Sequence, residues 1–330
     1  MKLLKKKQKR SKKIGLALGS GSARGWAHIG VIEALSEADI QIDYVAGTSV
    51  GAVVGAVYAS GKIHSFEEVV LQLDWKKVVS FLDVVFPKSG LIDGNKIADF
   101  VRAHVEEKNI ENLPLPFRAI STDLATGNEV VFQEGDIIEA VRASISIPGI
   151  FTPLRKDDMI LVDGGLVNPV PVSVVREMGA DLVIAVDLNH DTICKKGSNK
   201  ISRLDSIASN SNKQNEQNLG KKKKILEALN KRIRSLDFPA LNRIRHRATR
   251  DPLPNIFEVL TTSTQIMEAQ ITATRLKTEP PDLLIQPKLG HLGILDYHRA
   301  EEAIFEGYRE TKSCLEAGPL RSYLQALKRR

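Results

Sequence analysis

The feature that most restricts this chain is Gly47-Thr-Ser-Val-Gly51, set between an apolar run that reads as a strand, Ile42-Asp-Tyr-Val-Ala46, and a small-residue apolar helix from Ala52 to Tyr58. A strand can pass into a helix over so few residues only by a sharp, crowded bend. A Gly-x-Ser-x-Gly turn allows one: the glycines remove side chains that would collide, and the serine hydroxyl is pushed into the open above the sheet, over the N-terminus of the helix. Just upstream, Ile14-Gly-Leu-Ala-Leu18 reads as a buried strand entering the loop Gly19-Ser-Gly-Ser. Trp26, Ile29, Ile32, Leu35 and Ala38 then recur at the spacing of a helical stripe. Strand, loop, helix, strand, turn and helix in close succession predict an α/β fold with a sheet covered by helices on both faces.

The rest of the chain extends that pattern. Residues 62–112 read as helices with loops, Phe117–Ser121 and Glu129–Phe132 as strands, Asp136–Ser144 as a helix and Met159–Val162 as a strand. Leu182–Val186 is almost wholly apolar and reads as a central strand. Helical periodicity returns over 255–277, a strand over Asp282–Gln286 follows Pro280-Pro281, and a terminal helix is expected from near Asp296. Between 195 and 250 the pattern dissolves into Asn, Ser, Gln and Lys, which predicts a partly disordered insertion too long for an ordinary loop. The expected organisation is a basic arm over 1–13, one α/β domain from 14–194 and 251–330, and the insertion 195–250 within it.

Charge divides the chain the same way. Residues 1–13 hold eight Lys and Arg and no acid, and residues 195–250 hold sixteen against four acids. Set against the total of +7, this leaves the remaining residues with −13. An acidic body with two basic attachments differs from a uniformly basic nucleic-acid binder. The basic stretch 195–250 has a single aromatic, Phe238, so the stacking residues of single-strand binders are missing and no nucleic-acid partner is expected. Cys194 and Cys314 are too few and too far apart for a disulfide framework or a paired-cysteine zinc site, which points to a reducing compartment. The apolar stretches fall far short of the ~20 residues a spanning helix needs, and Ile14–Leu18 is shorter than a signal-peptide core. The expectation is a cytoplasmic protein, soluble or peripheral at the inner face of the membrane.

A serine hydroxyl needs a base. His291, in Leu-Gly-His-Leu-Gly near the C-terminus, has the late position of an α/β-hydrolase histidine. Asp163 is the stronger candidate, because it ends the strand Met159–Val162 and is followed by Gly164-Gly165, which leaves its carboxylate without bulky neighbours. A desolvated carboxylate beside a serine can accept its proton directly. The loop Gly19-Ser-Gly-Ser-Ala-Arg-Gly25 offers backbone N–H groups at a helix N-terminus for an oxyanion, with Arg24 adding charge or bracing the loop. It is not a dinucleotide loop, since Arg24 stands where the third glycine of Gly-x-Gly-x-x-Gly belongs and no acid ends the second strand.

Taken in order, Gly19-x-Gly21-x-x-Arg24-Gly25, Gly47-x-Ser49-x-Gly51 and Asp163-Gly-Gly resemble the patatin-like phospholipase family, particularly its small bacterial members. Ser121-Thr-Asp-Leu-Ala-Thr-Gly127 and Ala143-Ser-Ile-Ser-Ile-Pro-Gly-Ile-Phe151 agree with it. The resemblance implies a three-layer α/β/α fold with a mainly parallel sheet, a Ser49–Asp163 dyad without histidine, metal or cofactor, and hydrolysis of acyl esters of lipids. The oxyanion hole is expected in the segment of Gly19, Gly21, Ser22 and Arg24; which two N–H groups form it is left open by the resemblance, and the amides of Gly21 and Ser22 are our choice. The competing reading is a non-catalytic adaptor that docks on anionic membranes through its basic segments. A further expectation is a basic amphipathic helix over Lys221–Leu236, with Ile225, Leu226, Leu229, Ile233 and Leu236 on its apolar face.

Overall fold

The computed structural model describes residues 12–80, 92–192 and 256–317. The chain divides into two compact units, residues 1–193 with 263–330, and residues 194–262. Of the second unit only 256–262, the start of one helix, lie among the described residues. The basic arm up to residue 11 and the amphipathic stretch 221–236 lie outside them. Lys13 belongs to the fold rather than to an arm, because its ammonium pairs with Asp43 at 2.5 Å and its amide donates to Asp181 at 2.7 Å.

Among the described residues eight strands form one mixed sheet: β1 (Ile14–Leu18), β2 (Tyr44–Thr48), β3 (Phe117–Asp123), β4 (Glu129–Phe132), β5 (Leu154–Lys156), β6 (Met159–Asp163), β7 (Leu182–Val186) and β8 (Leu283–Ile285). Strands β3, β2, β1, β7 and β8 run parallel, side by side, while β4, β5 and β6 add antiparallel pairings. The expectation of a mainly parallel sheet therefore holds for its centre and not for the margin beyond β3. The helices are α1 (Ala27–Glu37), α2 (Val50–Ala59), α3 (Ile63–Leu71), α4 (Trp75–Ser80), α5 (Asn95–Arg102), α6 (Ile137–Ser144), α7 (Val172–Glu177), α8 (Ile256–Thr278) and α9 (Ala300–Ala317).

The central strands are apolar on both faces because both faces are covered. Ile14, Leu16, Leu18, Ile184 and Val186 point into the larger core with α1, α2, α6 and α9. Ala17, Ala46, Val183 and Ala185 point the other way, against Val172, Val174 and Val175 of α7, with Leu276 of α8 packed beside them. The result is the three-layer arrangement that the sequence predicts. Some boundaries differ. Strand β2 lies two residues later than its apolar run suggests, since pairing with β1 and β3 on either side sets its limits. Helix α9 starts at Ala300 rather than near Asp296, whose carboxylate instead accepts from the Gly293 amide at 2.8 Å and closes a turn. The short β5 and α7 have no periodicity of their own to reveal them.

Along β3 an unusual handover occurs. Strand β4 pairs with Ala119–Thr122 on one edge. On the other edge β2 pairs as far as Thr48 opposite Ile120, and β6, running the opposite way, takes over with Asp163 opposite Ser121. The carboxyl ends of β2 and β6 thus meet head to head.

Behind this point Phe66 of α3 is fully buried, with Trp26, Phe100 and His104 around it at ring-centroid separations of 5.8, 5.4 and 5.2 Å. Removing that ring leaves a cavity the neighbours cannot close. Phe66→Ala is expected to cost about 3–5 kcal/mol and to lower Tm in a thermal unfolding scan by roughly 10 °C.

Candidate active site

The bend after β2 is built as the glycines require. Ser49 holds φ 57° and ψ −124°, a conformation that costs free energy and persists only where the surroundings impose it. A Cβ on Gly47 would strike the Gly51 carbonyl, and one on Gly51 would strike the carbonyls of Leu18 and Gly19, so no larger residue fits either position. The Ser49 amide donates to the Ser144 hydroxyl of α6 at 2.8 Å, which ties the turn to the neighbouring helix.

The Ser49 hydroxyl donates to Asp163 Oδ2 at 2.6 Å, and Asp163 Oδ1 accepts from the Gly165 amide at 2.7 Å. Both side chains are buried, Asp163 to 1% exposure and Ser49 to 4%. The backbone of Asp163 is held as firmly, since its amide donates to Ser146 at 3.0 Å and its carbonyl accepts from the Thr122 hydroxyl at 2.9 Å. Burial pushes the Asp163 carboxyl up to about 8, with the negative charge of Glu268 adding to the rise and the bonds from Ser49 and Gly165 opposing it. Asp163 reaches the serine from an antiparallel strand, and the head-to-head meeting of β2 and β6 puts it there.

The glycine loop after β1 continues as a 3-10 helix, Ser22–Trp26. Its amides divide into two groups. Gly19 donates to the Val186 carbonyl at 3.1 Å, Ser20 to Pro169 at 2.8 Å, Ala23 to Ile294 at 3.3 Å and Arg24 to Gly21 at 3.2 Å. The amides of Gly21 and Ser22 have no acceptor among the described residues. The Gly19 and Arg24 amides are thus engaged within the protein. The buried Arg24 guanidinium donates to the Asn189 side-chain oxygen at 2.9 Å and to the Leu188 carbonyl at 3.3 Å, bracing the loop against the end of β7. His28 of α1 donates to the Gly19 carbonyl across 2.8 Å, and burial lowers its ring to about 4, so it is neutral with the proton on Nε2.

Ser49 and Ser22 share a cleft whose walls include Trp26, Val53, Phe100, Ile145, Phe151 and Leu295. Apolar walls around one reactive hydroxyl suit a hydrocarbon chain. His291 is not part of this cluster; it is exposed and pairs with Glu302 at 2.6 Å. Among the described residues no group of three His, Cys, Asp or Glu side chains is arranged to hold a metal ion, and no helix is long and apolar enough to cross a membrane. Sequence reasoning did not single out Ser144, His28, Asn189 or Glu268. The only signal for any of them was Ser144, within the stretch Ala143–Phe151.

Residues 16–176 match the Patatin family, patatin-like phospholipase. Over 179 residues the chain is 45% identical to an uncharacterized NTE family protein of Mycobacterium bovis, which covers 54% of this chain and 50% of that protein. Over 182 residues it is 36% identical to patatin-like phospholipase domain-containing protein 6 of Mus musculus, covering 53% of this chain and 13% of the mouse protein. The chain thus spans about half the length of the mycobacterial relative and a small part of the mouse one. Among solved structures, VipD from Legionella pneumophila aligns over 93% of this chain and 67% of that one, with 15% identity and a TM-score of 0.43.

The neutral, buried His28 has a consequence for stability. Its folded value lies below the unfolded ~6.5, so unfolding takes up a proton between the two, and stability is complete above pH ~6.5 and falls as pH drops toward about 4. The loss by pH 4 amounts to about 3 kcal/mol at ~1.4 kcal/mol per unit. Denaturant titrations at pH 7, 5.5 and 4.5 are expected to show this slope in the wild type and a shallower one in His28→Gln.

Proposed function

We propose that the chain is a serine-dependent acyl hydrolase acting on phospholipids, lysophospholipids or related acyl esters. The observation that carries the proposal is the 2.6 Å bond from Ser49 to a buried carboxylate beside an apolar cleft. On this reading Ser49 Oγ attacks the acyl carbonyl as its proton passes to Asp163 Oδ2. The Gly21 and Ser22 amides receive the oxyanion, with the adjoining bonds of Gly19, Ser20 and Arg24 holding the loop still. Collapse of the tetrahedral species expels the alcohol, which takes the proton back from Asp163. Water, deprotonated by the same carboxylate, then attacks the acyl-enzyme and releases the fatty acid. The Gly165 amide on Oδ1 holds the base in orientation, the part a third residue plays in a triad.

Ser49→Ala and Asp163→Asn are each expected to lower kcat/KM by at least ~10³ while keeping the fold, and the double variant to be no worse than either single one, because groups acting as a unit do not add. A fluorophosphonate is expected to label the wild type and not Ser49→Ala. Since Asp163 must be ionised in the free enzyme to accept a proton, kcat/KM is expected to rise with pH to a plateau above about 8. Retained activity in Asp163→Asn with loss in His291→Ala would replace the dyad by a triad, and an unlabelled wild type would favour the adaptor reading.

The basic segments 1–13 and 195–250 give an acidic body a means of approach to an anionic bilayer, at about 1 kcal/mol per Lys or Arg near the surface. Sedimentation with anionic liposomes at low salt is expected to carry down the full chain and to fail for a form lacking 195–250. Equal binding by the two, or binding indifferent to lipid charge, would remove the insertion from that role.

A further inference from the structure

Glu268 of α8 is buried, at 8% exposure, and its Oε2 accepts from the Ser20 hydroxyl at 3.0 Å and from the Asn189 amide at 3.1 Å. Ser20 adjoins the two unoccupied amides of the glycine loop, and Asn189 is the residue that holds Arg24. On its other side Glu268 faces Asp163 across Gly165. A Cβ built on Gly165 would lie 2.7 Å from Glu268 Oε1 and 3.0 Å from Asp163 Oδ1, so these two oxygens stand within about 6 Å of each other. One helix residue therefore touches the support of the loop and confronts the partner of the serine.

A glutamine could accept the same two hydrogen bonds without burying a charge, which is costly unless it is compensated. What only glutamate adds is a negative charge when ionised; burial raises the Glu268 carboxyl, the Ser20 hydroxyl, the Arg24 guanidinium and the Asn189 amide oppose that rise, and the charge is directed at two groups. One is the Arg24 guanidinium, buried and in need of a counter-charge. The other is Asp163, for which a like charge at this distance makes a proton harder to lose. The charged and titratable groups around the pair are Arg24 from the 3-10 helix, Asp163 from the end of β6 and Tyr297 from the turn before α9, with Asp187 and Asp191 beyond Arg24. None of them neutralises the carboxylate pair on the Asp163 side.

Resting on the reading of Ser49 and Asp163 as the reacting pair, we infer that Glu268 is a positioning residue for both halves of the site: it seats the glycine loop through Ser20 and Asn189, and its charge strengthens Asp163 as the acceptor of the Ser49 proton. The direction agrees with the upward displacement of the Asp163 carboxyl, in which Glu268 is the largest cause after burial.

The test is the rate of inactivation by a fluorophosphonate as a function of pH, in the wild type, Glu268→Gln, Glu268→Asp and Ser49→Ala. In Glu268→Gln the acidic limb is expected to move down by about one pH unit or more, with the plateau lowered as the base weakens. In Glu268→Asp, which keeps the charge, the limb is expected to stay near that of the wild type. A purely structural residue would lower the plateau and leave the limb in place, and an unmoved limb in Glu268→Gln overturns the inference. Should Glu268→Gln not fold because Arg24 is left uncompensated, the double variant with Arg24→Met removes both charges, and its limb decides in the same way. Labelling that persists in Ser49→Ala, or is absent from the wild type, would instead sink the reading of the reacting pair on which the inference rests.

Discussion

Everything at the candidate site depends on two strands sharing one edge of a third. Strand β3 offers hydrogen bonds for seven residues; β2 uses the first part and β6 the remainder, from opposite directions. Because both end where they meet, the residue after β2 and the last residue of β6 come together with backbones already fixed by ladder bonds. Preorganisation of this kind removes most of the orientational freedom that a hydroxyl and a carboxylate would otherwise lose on meeting. The 2.6 Å contact follows from sheet register, and side-chain rotamers supply only the last adjustment.

Around that meeting point the protein places its polar groups in a dry interior. Burial disfavours charge there: it leaves the His28 imidazole neutral, and it bears against the Arg24 guanidinium, held by one side-chain oxygen and one carbonyl, and against the two carboxyls on either side of Gly165. Low local polarity strengthens the bonds that are made and penalises those that are not. Such a cluster favours a single arrangement of the loop between β1 and α1, in which the Gly21 and Ser22 amides have no acceptor among the described residues.

Much of the fold was legible because the parallel strands and their covering helices repeat short, strongly patterned units. Ser49 and Asp163 stood out for a related reason: each sits beside glycines that a crowded turn demands, and such turns leave a mark in neighbouring residues. The division of labour in the glycine loop left no local mark. Whether the Gly19 amide is free depends on Val186, and the role of Arg24 on Leu188 and Asn189, far along the chain. Glu268 was hidden for the same reason, as one acid in a long helix with exposed apolar neighbours such as Ile266 and Met267. The three-residue β5 was hidden because its pairing with β6, rather than any alternation within it, holds it in place.

The two residues joined by the 2.6 Å bond are 114 positions apart, and the strand that brings the second pairs late in chain order. A growing polypeptide has its elbow in place after the first sixty residues or so, while the carboxylate emerges only with β6. On the proposed reading the hydroxyl has no acceptor until then, and a chain cut short before Asp163, by interrupted synthesis or by a protease, would carry the nucleophile without its partner; reactivity would then mark a chain whose sheet has closed its margin.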